Sequence, residues 1–169
     1  FTIPTSWFQS VNPLFIVAIA PLFSIFWSSK AGKKLTTPVK MGSGMILLGV
    51  GFFFMLGAVG ERGGNVADDT VKASLLWLVF TYLFHTIGEL CLSPVGLSVV
   101  TKLSPPKLAS LLMGVWLLSS FFANVIGGYL ASYVDRMGAG NIFLYVSIFV
   151  IVCGVGLLLL NKKLKAMML

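Results

Sequence analysis

Apolar residues in this chain come in long blocks, and polar residues are gathered between them. The blocks run roughly over residues 4–27, 41–59, 74–100, 108–133 and 142–160. Each is near the roughly 20 residues that carry an α-helix across a bilayer. A helix resting on a water-soluble core would show a polar stripe at every turn, and these blocks mostly lack one. The pattern predicts an all-α membrane protein of five transmembrane helices, with residues 1–169 forming one transmembrane bundle.

The connections give the blocks a direction. The first holds Lys30, Lys33, Lys34 and Lys40, the third holds Lys102 and Lys107, and the chain closes with Lys162, Lys163 and Lys165. These are nine of the twelve Lys and Arg residues. The second and fourth connections hold only Arg62, Lys72 and Arg136, diluted by Glu61, Asp68, Asp69 and Asp135. Cations collect on the cytoplasmic side of a membrane protein. The alternation therefore predicts an external N-terminal end, five crossings and a cytoplasmic C-terminus. Trp7 and Trp27 near the two ends of the first block, and Trp77 near the outer end of the third, read as interfacial anchors.

Composition agrees. Only 10% of residues are charged and 57% are hydrophobic, whereas a soluble domain carries about 25% charged residues. A net charge of +7 would suggest nucleic acid on a soluble chain. Here the cations are short clusters between apolar blocks, so they report topology and no nucleic-acid partner is expected. Cys91 and Cys153 lie inside apolar blocks and read as packing residues, with neither a disulfide nor a metal implied. The chain opens on Phe1 and shows no signal-peptide pattern, so a piece of a longer protein is expected.

Against this background some residues are out of place. Glu89 lies near the middle of the third block, where an acidic residue costs about 2.5–3.5 kcal/mol to insert. A carboxyl group poised between its protonated and ionised forms can carry a proton or pair with a substrate cation. The alternative is a structural carboxyl that locks two helices together. His85, Glu89 and Ser93 are four apart and share a helical face. Pro94 follows and removes a backbone donor, with Gly88 and Gly96 on either side, so this helix is expected to bend at mid-membrane. Bent or broken helices line transporter sites near the midplane. His85 has either a direct role or a hydrogen bond within the bundle.

In the first block Gln9, Ser10, Asn12 and Pro13 make a second polar break, which Asn12 either satisfies locally or uses to reach a ligand. In the fourth, Ser119, Ala123, Gly127 and Ala131 form a ribbon of small residues that lets another helix approach. Asn124 reads as an interhelical hydrogen bonder, and Trp116 as a core residue or the wall of a pocket.

Three stretches together resemble one family. The run from Gly88 through Pro105 (Gly-Glu-Leu-Cys-Leu-Ser-Pro, closing with Thr-Lys-Leu-Ser-Pro) is similar to the tenth-helix signature of proton-dependent oligopeptide transporters. Residues 7–16 resemble the eighth helix of that family, and residues 113–119 its eleventh. The resemblance implies the major facilitator fold, with this chain as a partial C-terminal bundle holding helices eight to twelve. It further implies proton-coupled symport of di- and tripeptides across the inner (plasma) membrane of the cell, with the proton as coupling ion and no cofactor. Glu89 then corresponds to the pocket carboxylate that receives the peptide amino terminus and takes part in proton coupling. Asn12 corresponds to a pocket amide beside it, and Ser93 and Trp116 to pocket-lining positions. Pro94, Gly88 and Gly96 become hinge or gating positions. Leu117 stands where some relatives have an aromatic residue, and the short loop between the second and third blocks is that of a prokaryotic form.

The N-terminal bundle, with the family's Glu-x-x-Glu-Arg motif, is not in this sequence. It would be the missing partner of this half, alongside the lipid bilayer, protons and a small peptide. Rival readings stay open: a relative carrying nitrate or another small solute, or a channel or structural membrane subunit. An enzyme is not expected, since His85 and Glu89 are unaccompanied by a His-Glu-x-x-His or Gly-x-Ser-x-Gly pattern.

Overall fold

The computed structural model describes residues 10–64 and 72–163. Seven helices and no strand occur among them: α1 (Val11–Ser28), α2 (Lys30–Lys34), α3 (Thr37–Glu61), α4 (Leu75–Leu103), α5 (Ala109–Ser132), α6 (Val134–Met137) and α7 (Ala139–Leu159). Five of them, α1, α3, α4, α5 and α7, are long and apolar enough to cross a membrane. They lie on the five apolar blocks. Trp7, Gln9, Asp68, Asp69 and Lys165 fall outside the described residues.

Local chemistry sets the helix ends. α3 opens with Pro38 in its first turn, where a missing N–H costs nothing. α4 is capped by the Ser74 hydroxyl, which accepts from the Leu76 amide at 3.3 Å. At the same end, the Glu61 carboxylate accepts from the Ser74 amide at 3.0 Å and from the Trp77 indole at 2.7 Å. That clasp joins the end of α3 to the start of α4. Before α7, Gly138 holds φ +80°, a conformation that suits only glycine at low cost. α4 runs unbroken through Pro94, and α1 through Pro21.

The interior is built from small residues, unlike a soluble core. Cys91 is the one buried hydrophobic side chain among the described residues, and the fully buried side chains are Thr86 and Ser147. Leucines, valines and phenylalanines face outward, with Leu22, Leu76 and Phe149 each more than 60% exposed. In hydrocarbon, outward apolar side chains cost nothing, and helices associate by close packing and hydrogen bonds. Glycines provide the closeness. A Cβ on Gly42 would stand 2.9 Å from the Gly154 carbonyl, and one on Gly154 would stand 2.9 Å from the Gly42 carbonyl. The same holds between α3 and α4 at Gly44 and Gly88. Thus α3 is the central helix, packed closely on α4 along one side and on α7 along another, with α1 laid against α4 and α5 leaning more lightly on α4.

Two hydrogen bonds staple α3 to the end of the chain that carries α7. The Ser147 hydroxyl donates to the Gly49 carbonyl at 2.7 Å, fully buried, and Thr36 Oγ1 bonds Asn161 Oδ1 at 2.5 Å. Ser147→Ala is expected to cost about 0.6 kcal/mol, the usual worth of such a bond within a membrane. The small cost follows because the Gly49 carbonyl keeps its place in the α3 backbone. Thermal unfolding of the full-length protein in detergent checks it, with transport unchanged.

α5 behaves otherwise. No residue of it is buried. Its small-residue ribbon is exposed, and a Cβ added at Gly127 would meet no atom within 4 Å. The expected interhelical bond of Asn124 is not seen among the described residues. Its amide turns back and donates to the Ser120 carbonyl at 2.8 Å.

Candidate functional site

α4 places Thr86 and Glu89 three residues apart, on the face that meets the start of α1. From α1, the Asn12 amide nitrogen donates to Glu89 Oε2 at 3.3 Å. Thr86 Oγ1 donates to the Asn12 amide oxygen at 2.7 Å. The three side chains form one chain of hydrogen bonds that crosses from α4 to α1 and back. Asn12 sits in the first turn of α1, so Pro13 beside it lacks an N–H that would have had no helical partner there. The polar break therefore serves the contact with α4.

An unpaired carboxylate in hydrocarbon is costly, and a single amide N–H offsets only part of that cost. Glu89 is half-buried, so part of it stays open to a further partner. No salt bridge to it occurs among the described residues: α1, α5 and α7 carry no charged residue within their bounds.

Ser93, one turn further along the same face, is exposed. Gly96 comes next on that side, and there the Trp116 ring of α5 lies directly against its Cα. Trp116 also walls a largely apolar cleft of about 380 Å³ between α4 and α5, with Val100, Leu103, Leu112 and Val115. The structure thus joins Asn12 to Glu89 by a hydrogen bond, while Ser93 on α4 and Trp116 on α5 make no hydrogen bond to that pair among the described residues. Gly88 and Gly96, read as hinge positions, both lie where another element comes very close: Gly44 and Leu48 at the first, Trp116 at the second. Pro94, with Leu90, lines a second cavity of about 410 Å³ between α1 and α4, which also receives Trp27 and Lys33.

His85 is directed elsewhere. Its ring stacks edge-on against Phe52 at 4.5 Å and lies over Gly51, both on α3. It is hydrogen-bonded to the Leu48 backbone, and its Nε2 has no partner among the described residues. A shared face in sequence is therefore divided in space: His85 meets α3 and Glu89 meets α1. Trp27 and Trp77 keep to the helix ends, Trp27 under the Lys40 ammonium at 4.4 Å and Trp77 on Glu61. No group of three or more His, Cys, Asp or Glu that could hold a metal occurs among the described residues.

Thr86 does not stand out in the sequence. Its signal is its place one turn before Glu89, but Thr81 and Thr101 in the same helix look no different there. Only the approach of Asn12 distinguishes it.

A sequence model of the POT family (PTR2) matches residues 1–142. An uncharacterized transporter, YclF, of Bacillus subtilis is 38% identical over 99% of this chain and 33% of its own length. The peptide transporter YePEPT of Yersinia enterocolitica is 36% identical over the same shares. A di-/tripeptide transporter of Lactococcus lactis is 34% identical, again over 99% of this chain and 33% of its own. The chain thus spans about a third of the length of these relatives. Among solved structures, a mutant of a peptide transporter POT in complex with alafosfalin superposes with a TM-score of 0.85 at 32% identity, over 96% of this chain and 32% of that one. A POT family transporter in complex with 5-aminolevulinic acid gives a TM-score of 0.81 at 32% identity, over 92% and 31%. The expected all-α membrane fold and the expected family are borne out by these matches and by the five long apolar helices.

Proposed function

We propose, since this chain belongs to the POT family, that the intact protein is a proton-coupled symporter of di- and tripeptides to which this chain contributes the C-terminal half of the pocket. The chain is part of a multi-pass membrane protein. The observation that carries the functional reading is the Asn12–Glu89 pair: a carboxylate within an apolar helix, given one amide donor and, among the described residues, no salt bridge. In this reading ionised Glu89 binds the peptide ammonium and releases it on protonation. Asn12 holds the carboxylate toward that end of the peptide, and Ser93 and Trp116 line the rest of this wall. Pro94, Gly88 and Gly96 let the cytoplasmic ends of α4 and α5 move together.

The remaining partners follow from the same reading. The N-terminal bundle of the same protein supplies the opposite wall and the groups that meet the peptide carboxylate. The proton is the coupling ion, no cofactor takes part, and nucleic acid is not a partner. The clusters at Lys33, Lys102 and Lys162 support a place in the cell inner membrane with the C-terminus cytoplasmic.

The test is uptake by the full-length protein in proteoliposomes. Labelled dialanine should accumulate under an inward proton gradient, saturate, and be displaced by other dipeptides but not by nitrate. Displacement by nitrate would favour the small-anion reading, and uptake that does not saturate would favour a channel.

A further inference from the structure

Three threonines of α4 show what Thr86 does differently. Thr81 donates its hydroxyl proton to the carbonyl of Trp77, four residues back, at 2.8 Å. Thr101 likewise donates to Leu97 at 3.1 Å. That back-bond is the usual resting place of a helical threonine hydroxyl. Thr86 instead commits its one proton to another helix, to the amide oxygen of Asn12 at 2.7 Å, from a fully buried position.

The direction of that bond has a consequence for the amide. An Asn side chain has one accepting and one donating end. With the oxygen held by Thr86, the nitrogen must face Glu89, which is where an ionised carboxylate needs a donor. The reverse orientation would set two acceptors against each other at the same spacing. When Glu89 is protonated the reverse orientation becomes acceptable, because the acid O–H can donate to the amide oxygen and the amide nitrogen can donate to Thr86. A hydroxyl can serve both arrangements, since it donates or accepts. A methyl can serve neither. His85 and Cys91 are the titratable neighbours on α4: the His85 ring is turned onto Phe52 of α3 yet stays within electrostatic reach of Glu89, and Cys91 is buried against Gly44 of α3. The charged residues of α3, Lys40 and Glu61, meet Trp27 and Trp77, and α1 and α5 carry no charged residue within their bounds.

We propose that Thr86 is a positioning residue of the substrate site: acting through Asn12, it keeps the amide on Glu89 in both protonation states and so sets the recognition of the peptide's free amino group. This rests on the functional reading above.

The experiment is a double-mutant cycle in the full-length transporter. Dialanine uptake, and its competition by N-acetyl-dialanine, are measured for wild type, Thr86→Val, Thr86→Ser, Asn12→Ala and the Asn12→Ala/Thr86→Val double variant. Thr86→Val is expected to raise the KM for dialanine roughly tenfold, with a smaller change in kcat and a reduced preference for the free amine. Thr86→Ser should remain near wild type. In the Asn12→Ala background, Thr86→Val should cost nothing further, because two residues acting in series are not additive. If Val does not insert, Thr86→Ala takes its place in the cycle. Wild-type behaviour of both single Thr86 variants, equal losses from Val and Ser, or a full additional loss in the Asn12→Ala background each overturn the assignment while leaving the functional reading intact. Absence of dialanine uptake by the wild-type protein overturns that reading and this assignment together.

Discussion

Glu89→Gln in the full-length protein is expected to abolish accumulation of dialanine under a proton gradient, with a loss on the order of 100-fold or more. The substitution is nearly isosteric, and the Gln oxygen can still accept from Asn12, so the α1–α4 contact has no reason to fail. What disappears is the charge and the ability to take up a proton. In the proposed reading, the peptide ammonium then loses its counter-ion in a weakly polar site, where such a pair is worth most. In that reading, a side chain that cannot take up a proton also leaves the gradient nothing to act on at this position. Counterflow, in which labelled dialanine exchanges for unlabelled peptide with no gradient, separates the two losses. A variant that still exchanges but no longer accumulates has lost coupling alone. Proton-driven uptake at the wild-type level would remove Glu89 from the mechanism.

Gly88→Val should do comparable damage by a different route. A Cβ at residue 88 would stand 2.7 Å from the Gly44 carbonyl oxygen and 2.7 Å from Leu48 Cγ. Leu48 can swing aside, but a helix backbone cannot, so α3 and α4 must separate. Overpacking of this kind costs about 1–3 kcal/mol. The strain also falls on the residue next to Glu89, displacing the carboxylate from its amide partner. Lower thermal stability together with loss of uptake is the expected result. Gly60→Ala, at a glycine with nothing within 4 Å, serves as the control and should be silent. If Gly88→Val matched Gly60→Ala in stability, the closeness of α3 and α4 at this point would be wrong.

How far this protein can be read from its sequence varies with the range of the interaction. A span needs only a run of apolar residues of sufficient length, so all five are visible in the alternation of blocks and basic connections. Glu89 is visible because an acid in a hydrocarbon block violates that pattern without reference to any partner. The Asn12–Glu89 pair is half visible. Both residues stand out, but the bond joins positions 77 residues apart. Thr86, 74 residues from its acceptor, does not stand out at all.

The departures share a cause. These helices are apolar around most of their circumference, so the sequence carries little information on which face turns toward which neighbour. Spacing places His85 and Glu89 on one face, yet a small rotation of α4 between α3 and α1 sends them to different helices. Asn124 is expected to bond across helices, but among the described residues its amide donates to its own backbone at Ser120. Gly88 and Gly96 read as hinge positions from the sequence, and only the packing shows which elements come close to them: α3 at the first and Trp116 at the second.

By itself, then, the sequence determined what each segment is: five helices that must lie in lipid, their polarity across the bilayer as an expectation, and one carboxylate that needs a partner. The free energy of transferring each segment into hydrocarbon is a sum over its own residues, so no other segment has to be known. Tertiary structure alone decided which side chains complete one another, including the Thr86–Asn12–Glu89 chain and the glycine seams that bring α3, α4 and α7 together. Those depend on the rotation and depth of each helix against its neighbours, and directional bonds of about 3 Å are made or lost within a fraction of a turn.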